Sequence, residues 1–354
     1  MRRATVTVIL AALAAVGIAG CSGPGGGATP SGPQLTNGRA VPNHRVKIKE
    51  FSDLPIYYDH YAPSAITAGD GVLWVTDTID QDYGENVVVR IATNGKATED
   101  YYYGGVTTEG SSFDDITLGP DGALWITDGY NRQILRMTTD GNYTGYPLSG
   151  YTSPNSITNG PDHALWFTEY SAVGRITTKG KVTIYGASGA LQDIVTGPDG
   201  ALWYTETQGN KIGRITTRGK ITEYSNGITP SAFLWSIAAG PDGALWFTEY
   251  DGGRIGRITT KGQVTEYSSG ITPGEHPVDI AAGPDGAMWF TEYQTVSSYQ
   301  PGGSKIGRIT TDGHIKEYSR GIDPAAGPDG IVAGPDGNIW FIEGSTNRVG
   351  RAKL

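Results

Sequence analysis

Cysteine is nearly absent from this chain of 354 residues, since it occurs only once, at Cys21. A single cysteine excludes an internal disulfide framework and a thiolate metal cluster, so packing and hydrogen bonds must stabilise the fold. Basic residues are also in deficit, at 27 against 36 acidic residues, which gives a net charge of −9. This excess of negative charge disfavours binding to nucleic acid or to an anionic membrane surface, so we expect neither as a partner.

A long apolar run is found only near the N-terminus, from Val6 to Ala19, and two arginines precede it. A charged start followed by an apolar stretch too short to anchor comfortably indicates an export signal. The run ends Ile18-Ala19-Gly20-Cys21, which resembles the bacterial lipobox, in which the cysteine is acylated and becomes the mature N-terminus. We therefore predict a lipoprotein signal peptide over residues 1–20 and lipidation of Cys21; an ordinary signal peptide with an unmodified cysteine is the alternative.

The segment after Cys21 is rich in Gly, Pro and Ser and lacks apolar periodicity, which predicts a flexible tether over residues 21–45. Two acyl chains at one site anchor a protein stably without a spanning helix. We therefore predict an exported protein that is held at the outer face of the cell membrane through the lipid anchor only. We expect the folded part to be a monomer.

A repeat occupies the chain from residue 46 onward, and its clearest copy runs from Gly240 to Ile271. Each copy contains one marker tryptophan, and the markers are spaced by 51, 41, 37, 43, 43 and 51 residues. The seven markers are Trp74, Trp125, Trp166, Trp203, Trp246, Trp289 and Trp340. This period suits four short strands per unit.

The turns between these strands have a chemistry of their own. The Gly-Pro-Asp-Gly segments suit tight reversals, and Asn94-Gly95, Asp140-Gly141 and Asp312-Gly313 suit two-residue hairpins that need positive φ. Short segments rich in Ile, Val, Thr, Tyr, Phe and Trp alternate with the turns, and no helical period appears. The pattern predicts an all-β fold, a seven-bladed β-propeller with four strands per blade over residues 46–354.

Ring closure is predicted independently. The seventh unit ends at its third strand, whereas residues 46–51 have the pattern of an outer fourth strand and precede the first complete unit. We therefore expect the N-terminal strand to close the last blade. The marker tryptophans are expected to pack between blades.

The repeated segments LWFTE, KIGRITT and ITEY, together with the closing strand, resemble the virginiamycin B lyase (streptogramin lyase) family over residues 46–354. The resemblance implies a Mg²⁺-dependent lyase that linearises a cyclic depsipeptide antibiotic by elimination at its ester, without water. Such an elimination needs a base for the proton α to a carbonyl, and a cation or donors to stabilise the enolate.

The catalytic groups that the resemblance implies are matched only in part. The family uses Pro-His-x-Ile in the sixth unit, Glu-Pro-His-x-Ile in the seventh, and a glutamate after the seventh tryptophan. Here Val278 takes the place of the first histidine, Gly327 that of the metal glutamate and Asp329 that of the base histidine. Glu343 matches in type and is the metal candidate, while Asp329 and His276 are candidates for the base. Turn and loop roles are the alternatives for these last two.

One residue per inner strand is predicted to face the propeller axis, two positions before the isoleucine of the strand. These candidate ligand-binding residues are Ser64, Asp114, Asn155, Gln192, Trp235, Val278 and Asp329. Their mixture of polar, acidic and aromatic types suits a pocket with defined donors and acceptors; a tolerant, water-filled channel is the alternative. The adjacent acids Asp115, Asp193 and Asp279 favour a cationic or metal-bridged ligand over an anion.

An acidic residue also follows each marker tryptophan by three positions, as in Glu249 and Glu343. Because this acid recurs in every blade, we predict a structural role, bonded to backbone or to the arginine of the next strand, such as Arg214, Arg257 or Arg308.

Two functions from different classes follow from these residues. The first is a diverged family member that binds a small molecule, peptide or glycan at the channel mouth. The second is an active Mg²⁺-dependent carbon–oxygen lyase acting on streptogramin B type depsipeptides. A metal-dependent lactonase or esterase is a remote third, because Asp114, Asn155 and Glu343 are too few for its metal cluster.

Overall fold

The computed structural model describes residues 46–51, 62–78, 86–103, 112–150, 153–294 and 303–354. The chain divides into two units, residues 1–43 and 44–354, and the first lies wholly outside the described residues. The predicted signal peptide, Cys21 and the tether are therefore also outside them. Within the described ranges, no helix has the length and hydropathy of a membrane span.

Twenty-eight strands make up the described part of the chain. The first five are β1 (Lys47–Phe51), β2 (Ala62–Gly69), β3 (Val72–Thr78), β4 (Asn86–Ile91) and β5 (Ala97–Tyr103). The next eight are β6 (Phe113–Leu118), β7 (Leu124–Asp128), β8 (Gln133–Met137), β9 (Tyr143–Pro147), β10 (Pro154–Asn159), β11 (Ala164–Glu169), β12 (Ala172–Thr177) and β13 (Val182–Gly186). They are followed by β14 (Leu191–Thr196), β15 (Leu202–Glu206), β16 (Lys211–Ile215), β17 (Ile221–Tyr224), β18 (Leu234–Ala239), β19 (Leu245–Glu249), β20 (Arg254–Ile258) and β21 (Val264–Tyr267). The last seven are β22 (His276–Ala282), β23 (Met288–Tyr293), β24 (Lys305–Ile309), β25 (Ile315–Tyr318), β26 (Pro328–Ala333), β27 (Ile339–Glu343) and β28 (Arg348–Lys353).

The strands form seven antiparallel sheets of four, and six of these sheets use four consecutive strands. The seventh has the order β1-β28-β27-β26. The innermost strands contact one another in sequence around the ring, and β26 contacts β2. The predicted seven-bladed propeller is confirmed. We number the blades in chain order, with β2 to β5 as blade 1 and the sheet formed by β1 and β26 to β28 as blade 7.

The N-terminal strand closes the ring as predicted. Strand β1 pairs antiparallel with β28, from Lys47 opposite Lys353 to Phe51 opposite Val349. The ring of Phe51 stacks on the marker Trp340 at a centroid distance of 5.4 Å. Backbone pairing and aromatic packing therefore both join the two ends of the propeller.

The Gly-Pro-Asp-Gly turns that precede the marker tryptophans lie at one end of the ring, which we call the turn end. In blade 5, the indole N–H of Trp246 donates to Asp242 Oδ1 at 3.1 Å, and Arg257 Nε donates to Asp242 Oδ2 at 2.7 Å. Gly243 completes the turn with φ of 74°, a conformation that favours glycine. The same aspartate contacts both groups in blades 2, 3, 4 and 6, through Asp121, Asp162, Asp199 and Asp285.

These contacts correct one prediction. The arginines Arg214, Arg257 and Arg308 bond the turn aspartates Asp199, Asp242 and Asp285, not the acids that follow the tryptophans. The reason is strand direction: β15, β19 and β23 each begin at the turn end and carry the acid to the opposite end, whereas the arginine faces the tryptophan near the turn.

The core consists of clusters that each span the boundary between two blades. Trp125 of blade 2 packs with Ile157 and Phe167 of blade 3, and Trp203 of blade 4 packs with Phe247 of blade 5. All seven marker tryptophans are at most 1% exposed. Their predicted place between blades is confirmed, and burial of such large side chains is the main attraction between the sheets.

Candidate functional site

The inner strands of the seven blades all begin at the end opposite the turns, which we call the mouth. A cavity of about 140 Å³ lies on the axis there. Six predicted ligand-binding residues line it, namely Ser64, Asp114, Asn155, Gln192, Trp235 and Asp329. The seventh, Val278, is buried at 3% exposure and is not among the lining residues. The structure therefore brings six of the predicted positions together and leaves the Val278 side chain in the wall.

A shift of register near the start of each inner strand places a second ring of residues on the cavity. In blade 2 the shift falls between Phe113 and Asp115, and both Asp114 and Asp115 line the cavity. Such a bulge places consecutive side chains on one side instead of alternating them. The second ring consists of Ala65, Asp115, Ser156, Asp193, Ser236, Asp279 and Gly330.

Aspartate and serine alternate through this second ring in blades 2 to 6 and form one hydrogen-bonded chain. Ser156 Oγ lies 2.9 Å from Asp115 Oδ2 and 2.7 Å from Asp193 Oδ1. Ser236 Oγ lies 2.9 Å from Asp193 Oδ2 and 2.6 Å from Asp279 Oδ1. Four short oxygen–oxygen contacts thus join three carboxyl groups through two hydroxyls.

Each of these aspartates also binds backbone amides in two blades. Asp193 accepts from the amide of Ile194, its chain neighbour, at 2.7 Å and from that of Ile237 in blade 5 at 2.8 Å. Asp115 and Asp279 make the equivalent pairs of bonds, with Ile116 and Ile157 and with Ile280 and Ile331. The carboxyl groups therefore tie neighbouring blades together at the axis.

The hydrogen bonds between these serines and aspartates also indicate which carboxyl groups carry a proton. A serine hydroxyl has one proton, so two serines donate in only two of the four oxygen–oxygen contacts. The other two contacts need protons from carboxyl groups, and protonation of Asp115 and Asp279 satisfies all four with Asp193 ionised. Burial, with a contribution from the nearby Asp193, raises the pKa of both Asp115 and Asp279 to about 7. In this protonation state, which dominates below about pH 7, the floor of the cavity carries one negative charge.

The two remaining carboxyl groups on the cavity differ in their partners. Asp114 accepts from Ser112 Oγ at 2.7 Å and from the Gly129 amide at 2.9 Å. Asp329, in contrast, receives no hydrogen bond on its carboxyl group from the described residues, although its carbonyl accepts from Thr291 Oγ1 at 2.7 Å. Burial raises the pKa of both carboxyl groups to about 6, so both are mostly ionised at neutral pH.

An aromatic cluster lies beside the cavity on blades 5 and 6. The Trp235 ring stacks on Phe233 at 5.8 Å and meets Tyr250 at 5.9 Å. Tyr250 in turn stacks on His276 at 4.6 Å and meets Tyr293 edge-on at 6.1 Å. Phe233 has φ of 56°, an unfavourable conformation for an aromatic residue that places its ring against Trp235.

The cluster gives His276 a defined tautomer. Its Nδ1 lies 2.8 Å from the carbonyl oxygen of Tyr250, and a carbonyl only accepts, so Nδ1 carries the proton in the neutral ring. The lone pair of the neutral imidazole is then on Nε2. Of the two predicted base candidates, Asp329 thus lines the axial cavity, and His276 belongs to the aromatic cluster at the start of β22.

A larger cavity of about 720 Å³ opens at the mouth over blades 2 to 4. It shares Asp114, Asn155 and Gln192 with the axial cavity. Tyr130 and Tyr170 line it and are 58% and 53% exposed, whereas most large apolar side chains of the described chain are buried. A ligand of moderate size can therefore lie over these blades and reach the axis.

Sequence reasoning missed the serines of the second ring and the tyrosines of the aromatic cluster. Ser156 and Ser236 stand directly before the strand isoleucine, the position that Asp115 holds in blade 2. Tyr250 and Tyr293 directly follow the acid after their marker tryptophan. Comparing these positions across the repeats would have marked both sets as candidates.

The acids that follow the tryptophans are buried beneath the mouth. Glu343, the predicted metal ligand, is 0% exposed, and its Oε2 accepts from Thr346 Oγ1 at 2.7 Å. Burial raises the pKa of Glu343 to about 7, and the nearby carboxylate of Glu50 contributes to the rise. Glu249 and Glu292 are also fully buried, and burial raises their pKa values to about 8 and about 9. Glu343 is thus one of a repeated set, and it does not line the axial cavity.

The residues present do not fit the magnesium site that the resemblance implies. The described part of the chain contains no group of three or more His, Cys, Asp or Glu side chains arranged to hold a metal. Gly327, at the place of the metal glutamate, has φ of 56°, and a Cβ there would meet Ser345 Oγ at 2.6 Å. A glutamate at this position would be strained by the positive φ, so we derive no chemistry through a bound metal.

Comparison with known proteins places this architecture in a family. The model of the virginiamycin B lyase family matches residues 47–294 and 186–354, which together span the whole propeller. The chain belongs to the virginiamycin B lyase family. No curated protein sequence gives a significant match to this family member.

Solved structures agree with the family assignment. A catalytically inactive histidine-to-alanine variant of virginiamycin B lyase from Staphylococcus aureus, with quinupristin, is 35% identical. The alignment covers 87% of this virginiamycin B lyase family chain and 99% of that chain, with a TM-score of 0.75. A streptogramin B lyase is 33% identical over 87% and 98% of the two chains, with a TM-score of 0.74.

The propeller fold is also shared by proteins of much lower sequence identity. The extracellular domain of a putative hybrid two component system from B. thetaiotaomicron is 13% identical and has a TM-score of 0.63. The alignment covers 86% of this virginiamycin B lyase family chain and 40% of that chain, and at this identity it shows the fold alone.

Proposed function

We propose that this protein is an exported, lipid-anchored member of the virginiamycin B lyase family that binds a small molecule, peptide or glycan at the propeller mouth. The observation that carries the proposal is the continuity of two cavities through Asp114, Asn155 and Gln192. The lipid anchor rests on the N-terminal sequence ending in Cys21, and the outer face of the cell membrane is the proposed location.

The size of the mouth supports a ligand larger than an ion. Pockets for small organic molecules have volumes of roughly 300 to 1,000 Å³. The axial cavity of about 140 Å³ is below this range, whereas the adjoining cavity of about 720 Å³ is within it. A ligand that lies over blades 2 to 4 would insert one of its groups into the axial cavity.

The chemistry of the mouth supports an amphipathic ligand. Asn155 and Gln192 are amides with both donors and acceptors, and Tyr130 and Tyr170 offer exposed ring faces. Peptides and glycans present the same combination of polar groups and flat apolar faces.

The test is a binding titration of quinupristin, the compound present with the inactive Staphylococcus aureus lyase, against the full chain purified in detergent. We expect saturable heat release in calorimetry and an unchanged retention time of quinupristin in liquid chromatography with mass detection. Gln192→Ala is expected to weaken binding about tenfold, because the loss of one buried hydrogen-bonding group costs about 1 kcal/mol or more.

Asp199→Asn is the matched control, because it changes a polar residue of the same blade at the turn end. A second arm titrates peptides and oligosaccharides. The proposal is contradicted if no member of either set binds, or if binding to Gln192→Ala and to the unchanged protein is equal for every ligand that does.

The second candidate is the lyase reaction, which membership of the family favours. Asp329 at the axis and Nε2 of His276 are the groups able to take the proton from the carbon next to the ester's alkyl carbon, a proton that is α to a neighbouring carbonyl. The alkyl carbon–oxygen bond would then break as a carbon–carbon double bond forms, and the carboxylate leaves, which gives a linear product with the mass of the substrate. A shifted retention time at constant mass, abolished by Asp329→Asn, would establish this reaction and would replace binding alone as the function.

A further inference from the structure

We propose that the ligand of the mouth carries a positively charged amine, which the axial cavity holds between the carboxylate of Asp329 and the indole of Trp235. This inference rests on the proposed function, namely that the mouth binds an organic ligand. It adds the chemical class of the group that enters the cavity.

The wall of the axial cavity is acidic. Five aspartates line the cavity, and no lysine, arginine or histidine is among the described residues that line it. They are Asp114, Asp115, Asp193, Asp279 and Asp329. An anionic group would meet only like charges there, and a neutral group would leave them unbalanced.

Asp329 differs from the other four aspartates in its hydrogen bonds. Protonation of Asp115 and Asp279 completes the hydrogen bonds of the second ring, and Asp193 accepts four of them. Asp114 accepts two hydrogen bonds. Asp329 alone has a carboxyl group that accepts none from the described residues.

Asp329 is half-buried, and partial removal of a carboxylate from water without a donor has a cost that a cation arriving with the ligand offsets. The backbone of Asp329 is held by the bond from Thr291 Oγ1, so the carboxylate keeps its place on the cavity. The missing partner is therefore expected from the ligand.

An indole ring lies on the same cavity as Asp329. Trp235 lines the cavity, and Phe233 and Tyr250 support its ring. Tryptophan is the side chain that attracts an ammonium group most strongly through its ring face. The negative charge of Asp329 also reaches this cluster, since it contributes to a raised pKa of Tyr250, behind burial, Tyr293 and Asp251. The two features thus act on one small volume.

The experiment compares choline with 3,3-dimethyl-1-butanol, which has the same shape without the charge. Both are titrated into the full chain at pH 6.5, where Asp115 and Asp279 are mostly protonated and Asp329 is mostly ionised, and binding is followed by calorimetry. We expect choline to bind at least tenfold more tightly than the neutral alcohol. Asp329→Asn and Trp235→Ala are each expected to weaken choline binding at least tenfold, and Asp199→Asn at the turn end to leave it unchanged.

A pH series adds an independent readout. Choline binding should weaken as the pH falls through about 6, where the carboxylates of Asp329 and Asp114 are protonated. Asp329→Asn should reduce this dependence and leave the smaller part due to Asp114 and to the second-ring groups Asp115 and Asp279, which titrate near pH 7. Circular dichroism melts of each variant verify the fold.

Equal binding of choline and the alcohol, binding that Asp329→Asn leaves unchanged, or no choline binding at all would each overturn the inference. These outcomes do not touch the proposed function, because the quinupristin, peptide and oligosaccharide titrations test that function separately. If those titrations fail but choline binds in a way that depends on Asp329, the cation site is supported. The proposal that the mouth binds a larger organic ligand is then contradicted.

Discussion

The turn end and the mouth of the propeller are built from the same strands but follow opposite rules. At the turn end, an aspartate holds the indole of the marker tryptophan and the arginine of the next strand in almost the same way in five blades. At the mouth, the residue that faces the axis differs in type from blade to blade, from the small Ser64 to the large Trp235. The repeated end packs the blades, and the varied end forms the cavities.

Acidic residues that recur from blade to blade serve the scaffold at both ends. Asp242 and Glu249 both recur in other blades, and both serve the scaffold, one bonded at the turn and one buried beneath the mouth. Asp329 occurs at an axial position where most blades have another residue type. Position within the repeat, more than residue type, separates scaffold carboxyl groups from candidate site carboxyl groups.

The largest effect is expected where the repeat is completed by the N-terminus. Removal of residues 46–51 deletes β1, which pairs with β28 and stacks Phe51 on Trp340. Blade 7 then loses its outer strand, so we expect loss of the cooperative thermal transition in circular dichroism. Removal of residues 22–43 is the control and should leave the transition in place. A normal melt of the chain lacking β1 would show that closure does not stabilise the ring.

A smaller effect is expected from the turn end. Asp242→Ala removes the acceptor of the Trp246 indole and of Arg257, and it should lower the free energy of unfolding by about 1 to 3 kcal/mol. The same change at Asp199 or Asp285 should have an equal effect, because these blades make equal contacts. Chemical denaturation measures all three, and widely different values would break the equivalence of the blades.

Because of the second ring, we expect the stability of the protein to depend on pH with a sign opposite to that given by surface carboxyl groups. The pKa of Asp115 is about 7 in the folded protein against an ordinary value of 3.8, so the folded state binds more protons between about pH 4 and 7. The contribution of Asp115 to stability is therefore fully present below about pH 4 and is lost as the pH rises through about 7. One such group contributes a slope of at most about 1.4 kcal/mol per pH unit.

Asp115→Asn tests this slope, because the amide resembles the protonated acid. We expect urea denaturation between pH 4 and 7 to show a weaker fall of stability in this variant. Asp199→Asn is the control: despite burial, bonds from Trp203 and Arg214 lower the pKa of Asp199, so its effect lies below about pH 4. An unchanged slope in Asp115→Asn would contradict the proton assignment in the second ring.

The smallest effect is expected from charge at the turn end. Arg257→Lys retains the positive charge near Asp242 but loses the geometry of the guanidinium, in a pair that is partly exposed. Exposed ion pairs contribute little, so the change in unfolding free energy should be within about 1 kcal/mol. A loss larger than that of Asp242→Ala in the same denaturation series would mean that arginine packing on Trp246 dominates this end.

Much of the fold could be predicted from local signals. Gly-Pro-Asp-Gly turns, Asn-Gly and Asp-Gly hairpins and short β-rich segments occur at a regular period, and each acts within a few residues. The closing strand was predictable because β1 has the pattern of the outer strand that blade 7 lacks. The axial positions followed from counting back from the strand isoleucine, and this rule placed six of seven residues on the cavity.

The rest of the site was not local. The bulge that admits Asp115 beside Asp114 is a relation between two strands, and the chain through Ser156 and Ser236 is a relation among five blades. The stack of Tyr250 on His276 likewise joins residues of different blades. Distances of this kind depend on how the blades are arranged around the axis.

By itself, the sequence determined the number of blades, their strand pattern, the closing strand and membership of the family, because these depend on short-range turn chemistry and on repetition. Only the tertiary structure decided which carboxyl groups are satisfied and which is not. Asp193 and Asp329 are the same residue type on the wall of the same cavity, yet one accepts four hydrogen bonds and the other accepts none from the described residues. Hydrogen bonding and desolvation depend on groups far apart in the chain, and the closed ring brings those groups together.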